Sequence, residues 1–207
     1  MLTGRAANRP SRGPKGIAII GAQSLDAWAT RRDAGAVSVA ILPTRLRPAD
    51  LLRITDQCAS EVLDGRHDDM LPPQWDPVHR WAARLRQDDD LDVWLISWTP
   101  GEATALHDHA GSIGALTVVS GSLAEYRWAG TGLRARTLDA GDQAAFPLGW
   151  VHDVVRNPAD TTPVPTLSVH AYSPPLTAMN YYEVTGSGRT GPTHLRRIRT
   201  ELTDQPE

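Results

Sequence analysis

Two stretches decide the fold, GEATALHDHAGSIGALTVVSG at 101–121 and GDQAAFPLGWVHDVVRN at 141–157. The first contains the triplet His107-Asp108-His109. Side chains two residues apart on a β-strand point to the same face, so both imidazoles can bind one ion while Asp108 points to the other face. Taken alone, such a pair is more often two solvated histidines in a loop. The second stretch contributes a further imidazole, His152.

Short apolar segments separated by Gly, Pro and Asp surround these stretches. From Leu91 onward they recur every 8–12 residues, which is typical of an antiparallel barrel or sandwich. The predicted strands are 91–98, 116–119, 123–128, 133–138, 144–147, 150–155, 166–172 and 179–184. The sequence therefore predicts a mostly β architecture.

Helices are expected before the strands. Pro48 suits the first turn of a helix, and apolar residues recur at helical spacing from Leu51 to Leu63. Cys58 lies on that apolar stripe and is interpreted as a buried structural residue. Asp76 and Pro77 favour the start of a second helix, with Trp81 and Leu85 on its apolar face.

The domain organisation follows from these segments. Residues 1–41 are expected to form a tail, flexible or poorly ordered at least to about residue 16. A single domain is predicted over 42–190. The C-terminal tail, 191–207, carries Leu195, Ile198 and Leu202 at a spacing that favours a short helix.

Composition excludes several functional classes. The chain has 207 residues, a net charge of −3 and one cysteine, so a disulfide scaffold is excluded and a reducing cytoplasm is expected. A slightly acidic chain is a poor nucleic-acid ligand, and the early apolar run Ile17–Ile20 is too short to cross a membrane.

Glycine and proline positions around the histidines resemble the two-part motif of the cupin superfamily. Gly101, His107, His109 and Gly121 fit its first half, and the second half is fitted by Gly141, Pro147, Gly149 and His152. The resemblance implies a cupin fold, a double-stranded β-helix or jelly-roll barrel, here with N-terminal helices. It also implies that His107, His109 and His152 form one metal site. Two positions depart from the motif: Gly114 stands where it has a glutamate, and Asn157 comes one residue late.

The missing glutamate has a chemical consequence. Three neutral imidazoles on a divalent ion leave a charge of +2 and open coordination positions, which favours an anionic substrate. A closed structural zinc site needs a fourth ligand. Imidazole suits zinc, iron, copper or nickel, so the ligands alone do not select the metal.

A second cluster follows in Ser168-Val169-His170-Ala171-Tyr172. On a strand, Ser168, His170 and Tyr172 share one face and can form a hydrogen-bonded line. Taken alone, the same pattern also fits the polar face of an exposed strand.

Together these residues resemble the cysteine dioxygenase type I family, the thiol dioxygenase branch of the cupins. The resemblance covers roughly 42–184, and its carriers are 106–109, 121–125, 151–152 and 168–175. It implies ferrous iron on His107, His109 and His152, and an outer-sphere catalytic triad of Ser168, His170 and Tyr172. It also implies a cis peptide bond between Ser173 and Pro174.

The resemblance extends to substrate binding. The family holds the substrate carboxylate with an arginine, for which Arg84 is the candidate and Arg80 and Arg86 are alternatives. A planar guanidinium can bind a carboxylate in bidentate fashion. The family's tyrosine near that arginine falls at Ala82, and a pocket residue falls at Met179. Because Gly114 stands where animal members have a cysteine, no cysteine–tyrosine cross-link is expected.

The sequence thus predicts a cytoplasmic iron(II) dioxygenase of cysteine catabolism that converts L-cysteine and O2 to cysteine sulfinate. One alternative keeps the chemistry and changes the substrate to 3-mercaptopropionate or another small thiol acid. Two others are a non-catalytic metal-binding cupin that binds a small acid, and a zinc- or manganese-dependent isomerase. The Ser168-His170-Tyr172 line argues against the isomerase. The oligomeric state is left open.

Overall fold

The computed structural model describes residues 46–163, 165–186 and 192–206, so the expectations for residues 1–41 lie outside it. Its described part contains one α-helix, α1 (Pro48–Leu63), a 3-10 helix at Asp68–Met70, and eleven strands. The strands are β1 (Ala82–Gln87), β2 (Asp92–Trp98), β3 (His107–Asp108), β4 (Ile113–Ser120), β5 (Ser122–Trp128), β6 (Leu133–Asp139), β7 (Gln143–Phe146), β8 (His152–Arg156), β9 (Thr166–Ser173), β10 (Ala178–Thr185) and β11 (His194–Leu202).

The strands form two antiparallel sheets that enclose one apolar core. The first sheet has the order β1-β2-β9-β4-β7, and the second has the order β11-β10-β3-β8-β5-β6. Trp94, Leu116 and Phe146 from the first sheet pack with Leu123 and Val154 from the second. This is the mostly β, cupin-type barrel that the sequence predicts.

Helix α1 covers the outer face of the first sheet. Pro48 occupies its first turn, and the Asp50 carboxylate accepts the backbone N–H of Arg47 at 3.0 Å, which satisfies a donor at the helix start. The apolar stripe predicted from the sequence is buried, including Leu51 and Cys58. None of the helices in the described ranges is long and apolar enough to span a membrane.

Every residue of β2 and β9 is buried, because one face of these strands lines the barrel core and the other is covered by α1. Alternate residues of β2 point to opposite sides, so Trp94 and Ile96 enter the barrel core while Val93 and Leu95 face α1. The same alternation on β9 turns Tyr172 inward. A site lined by β9 therefore lies inside the barrel.

The predicted second helix is wrong, because the chain forms strand β1 instead. Asp76 does open a turn, since its carboxylate accepts the backbone N–H groups of Val78 and His79 at 2.8 and 3.0 Å. Trp81 and Leu85 each pack against the α1-side core, the apolar cluster in which Leu51 and Cys58 of α1 meet the first sheet. A separation of four residues places two side chains on one face of a helix and equally on one face of a strand, so the spacing did not distinguish them.

The predicted C-terminal helix is also wrong. Residues His194–Leu202 form β11, which pairs with β10 along its whole length. Ile198 and Leu202 are exposed, so the apolar residues that favoured a helix do not form a buried stripe. The second sheet consequently extends beyond the predicted domain end at residue 190.

Candidate metal centre and its surroundings

The three predicted metal ligands meet at the junction of β3 and β8. His107 lies directly opposite His152 in the antiparallel pairing of these strands. His109 follows two residues later, and all three imidazoles are buried. One nitrogen from each ring lies within 4.8 Å of the others. This is a spacing at which three imidazoles can share one ion.

The hydrogen bonds of these rings fit a metal. His107 donates from Nδ1 to the carbonyl oxygen of Ala105 at 2.9 Å, which leaves its Nε2 lone pair for an ion. The buried Nε2 of His152 has no hydrogen-bond partner within the protein. Burial lowers the pKa of His107 to about 3 and that of His109 well below its usual value. Both rings are therefore neutral at pH 7, as metal ligands must be.

A buried carboxylate orients the third histidine. His152 Nδ1 donates to Oε1 of Glu125 at 2.9 Å, and the indole of Trp150 donates to the same oxygen at 3.1 Å. Arg136 donates to Oε2. Burial raises the pKa of Glu125, but these hydrogen bonds and charges outweigh it and lower the pKa to about 2. The ionised carboxylate fixes the His152 tautomer that presents Nε2.

Asp108 points away from the imidazoles and anchors their strand, as the alternation predicts. Its carboxylate accepts hydrogen bonds from Asn180 at 2.8 Å and from the Tyr182 hydroxyl at 2.6 Å. Burial and this hydrogen bond raise the pKa of Tyr182 to about 12. Strand β3 has only two residues, so these side-chain bonds to β10 hold it in place.

Ser168, His170 and Tyr172 form the hydrogen-bonded line that the sequence predicts. His170 Nε2 lies 2.9 Å from the Ser168 hydroxyl, and Nδ1 lies 3.2 Å from the Tyr172 hydroxyl. The Trp98 indole extends the line by donating to Ser168 at 2.8 Å. Burial keeps the pKa of His170 far below its usual value and that of Tyr172 far above it. Both side chains are therefore neutral at pH 7.

Tyr172 brings this line to the metal centre. Its ring centroid lies 4.9 Å from that of His109. Gly114 faces the phenol, since a Cβ atom built there would lie 3.2 Å from the Tyr172 ring. The chain's one cysteine, Cys58, belongs to the α1-side core. The Ser173–Pro174 peptide bond is cis, as the resemblance implies.

The three candidate arginines for substrate binding have different contacts. Arg80 stacks on Trp98, with its guanidinium carbon 4.1 Å from the ring centroid. Burial lowers the pKa of His170, and the positive charge of Arg80 lowers it further. Arg84 instead donates to the carbonyl and carboxylate of Asp204 at 2.8 and 3.1 Å, and Arg86 bonds Glu61 on α1 at 2.6 Å. Arg84 and Arg86 thus bond carboxylates, and the charge of Arg80 acts on His170.

Met179 and two tryptophans complete the interior. Met179 is buried in the same core cluster as Tyr172, which agrees with a pocket wall. The sequence assigned no role to Trp98, Trp150, Arg136 or Glu125. A signal for Glu125 was present: it lies two residues from Leu123 on the inward face of β5, where an unpaired charge is costly.

A sequence profile described as Cysteine dioxygenase type I matches residues 73–185. Among solved structures, KdgF from a Halomonas species is 20% identical, with 52% of this chain and 91% of that chain covered and a TM-score of 0.42. A double-stranded beta-helix protein from Klebsiella pneumoniae is 21% identical, with 67% and 94% covered and a TM-score of 0.42. A cupin superfamily protein from Desulfitobacterium hafniense is 12% identical, with 48% and 82% covered and a TM-score of 0.40.

Proposed function

Because the chain belongs to the cysteine dioxygenase type I family, we propose that it is an iron(II)-dependent dioxygenase that converts L-cysteine and O2 to cysteine sulfinate. The observation that carries the proposal is the contact between two arrangements. A buried site of three histidines lies against the neutral phenol at the end of the Ser168-His170-Tyr172 line. A metal site with a purely structural role would not require the hydrogen-bonded Ser168-His170-Tyr172 line beside its ligands.

His107, His109 and His152 would hold the iron. When bound, ferrous iron would supply the redox chemistry between a thiol and O2, and its net charge would favour the thiolate. Both oxygen atoms enter the sulfur product, so the reaction balances without an external reductant. The neutral imidazoles and the absence of a carboxylate at Gly114 support a site with open positions.

Arg80 is proposed to bind the substrate carboxylate. Its guanidinium carbon lies 4.1 Å from the Trp98 ring centroid, and a planar guanidinium suits a bidentate contact with a carboxylate. Its charge acts on His107, His170 and Tyr172, which supports a position near these side chains. A carboxylate there would fix one end of the substrate and leave the thiol to face the histidines.

Tyr172 is proposed to donate a hydrogen bond to the reacting groups. Since burial keeps its pKa far above neutrality, the phenol retains its proton throughout the working pH range. When Ser168 donates to His170 Nε2, the Nδ1–H of His170 donates to the Tyr172 oxygen. The phenolic proton is then directed away from His170 and toward the space beside His109.

The experiment is oxygen uptake by the iron-loaded protein with L-cysteine, 3-mercaptopropionate and cysteamine, which lacks a carboxylate. The proposal expects kcat/KM to be highest for L-cysteine. Arg80→Gln should lower it about 100-fold, the cost of two charged hydrogen bonds, and should affect cysteamine little. Arg86→Gln, which changes an arginine bonded to Glu61, is the matched control.

If kcat/KM is higher for 3-mercaptopropionate than for L-cysteine, the protein is a thiol dioxygenase whose substrate is 3-mercaptopropionate. Bound metal without thiol-dependent oxygen uptake would favour the non-catalytic cupin. Activity that follows zinc or manganese content, with no oxygen consumed, would favour an isomerase.

A further inference from the structure

The segment Thr203–Pro206 continues from β11 toward the arginines of β1. The backbone N–H of Thr203 donates to the carbonyl of Thr177 at 3.1 Å, which extends the pairing with β10. Thr203 and Gln205 then form a small turn, in which the Gln205 N–H donates to the Thr203 hydroxyl at 3.1 Å. Pro206 is buried. The segment is therefore attached to the barrel at both of its ends, while Asp204 and Gln205 between them are exposed.

The segment borders a surface groove that leads to Arg80. The groove has a volume of about 490 Å³ and is lined by Gln205 and Pro206 on one side. Arg80, Trp81 and Glu102 contribute from the barrel. Arg80 reaches from this groove to Trp98, the indole that bonds Ser168. Arg80, the proposed carboxylate ligand, therefore borders this groove.

Arg84 joins the segment to the barrel. One terminal nitrogen donates to both the backbone carbonyl and the carboxylate of Asp204, and the other donates to Gln87 at 2.8 Å. The guanidinium also stacks on Trp94, 4.4 Å from the ring centroid. Trp94 is buried in the same core cluster as Tyr172. Arg84 therefore ties Asp204 to a rigid part of the interior.

We propose that Thr203–Pro206 forms one wall of the entrance for the thiol acid, and that Arg84 is a positioning residue that holds this wall in place. The inference rests on the proposed function, because it takes Arg80 as the carboxylate site. It assigns Arg84 a role in substrate selection without direct contact with substrate.

The test compares Arg84→Gln and Asp204→Asn in the iron-loaded full chain. Arg84→Gln removes the charged donor of both hydrogen bonds to Asp204, which should increase local opening of the segment about tenfold. The readout is faster hydrogen exchange at Thr203 and Gln205. KM for L-cysteine should rise about three- to tenfold, with kcat and iron content unchanged. Asp204→Asn should have the smaller effect, because the backbone carbonyl bond remains.

Two controls sharpen the result. Arg86→Gln changes a β1 arginine that bonds α1, and it should alter neither exchange at Gln205 nor KM. Arg84→Lys keeps the charge, so its KM should lie between those of Arg84→Gln and the unaltered protein.

The inference is overturned if both variants leave KM unchanged in an active enzyme. It is also overturned if Asp204→Asn lowers KM while Arg84→Gln raises it, because Asp204 would then compete with substrate for a directly binding Arg84. If Arg84→Gln does not fold, Asp204→Asn decides. Absence of thiol-dependent oxygen uptake in the unaltered protein instead contradicts the proposed function itself.

Discussion

The Nδ1 atom of His152 lies 2.9 Å from a carboxylate oxygen of Glu125. Both side chains are buried, and Glu125 has no exposed surface. Arg136, on the neighbouring strand β6, donates to the other carboxylate oxygen of Glu125. The metal centre is thus continuous with a charged network that reaches the barrel surface.

Glu125→Gln should weaken metal binding. The amide carries no charge, so the hydrogen bond that orients His152 becomes weaker and Arg136 loses its partner. We expect metal affinity to fall about 10- to 100-fold, as for other partners of metal-bound histidines, measured by competition with a chelator. Glu183→Gln, which alters an exposed glutamate paired with Arg196, is the control. An affinity within twofold of the unaltered protein would show that Glu125 does not tune the site.

Tyr172→Phe should separate catalysis from metal binding. The variant keeps the ring against His109 and removes the hydroxyl that bonds His170. We expect kcat to fall about 100-fold with iron content unchanged, a typical loss for a positioned proton donor. Tyr126→Phe, on a half-buried residue of β5, should leave kcat unchanged. Normal turnover by the Tyr172 variant would remove the phenol from the mechanism.

Gly114→Ala should disturb the site by crowding. A Cβ atom at this position would lie 3.0 Å from Phe146 and 3.2 Å from Tyr172, closer than ordinary contact. We expect a loss of about 1–3 kcal/mol in the free energy of unfolding, measured by denaturant titration, together with lower activity. Gly111→Ala, where no atom lies within 4 Å, is the matched control. Equal stability of the two variants would mean that Tyr172 is not held against Gly114.

The ion pair between Glu61 of α1 and Arg86 of β1 should be lost in acid. Hydrogen bonds from Gln57 and Arg86 lower the pKa of Glu61 from 4.5 to about 2. The pKa of Glu61 is lower in the folded protein than in the unfolded chain. Ionised Glu61 therefore stabilises the fold fully above pH 4.5, and this stabilisation declines as the pH falls toward 2. The stability difference between the unaltered protein and Glu61→Gln should shrink over that range. A difference independent of pH would contradict the assignment.

The inward-facing residues of the site could be predicted because their signal is local. Ser168, His170 and Tyr172 alternate along β9, so a period of two places them on one face. His107 and His109 have the same spacing and also meet, although His109 lies just beyond the end of β3. The resemblance to a known family then related the two sets. Only the three-dimensional structure could supply their contact, since Tyr172 and His109 lie 63 positions apart.

The arginine could not be selected in the same way. Trp81 and Leu85 fit a helix and a strand equally well, so their spacing does not show which way Arg84 points. The resemblance alone made Arg84 the candidate, with Arg80 and Arg86 as alternatives. On the strand, Arg84 pairs with Trp94 and bonds Asp204, 120 residues downstream. No local pattern in the sequence indicates a contact of that range. The position of Glu125 on the inward face of β5 was a local signal, but its partners were not, because they come from β6, β8 and the loop before β8.

The central claim is tested most directly by oxygen uptake of the iron-loaded protein with L-cysteine, measured together with ¹⁸O2 incorporation into the product. The account predicts that each O2 consumed yields one cysteine sulfinate carrying both labelled oxygen atoms, and that His152→Ala loses both iron and uptake. Sulfinate that lacks the label, or full iron content and activity in His152→Ala, would contradict it.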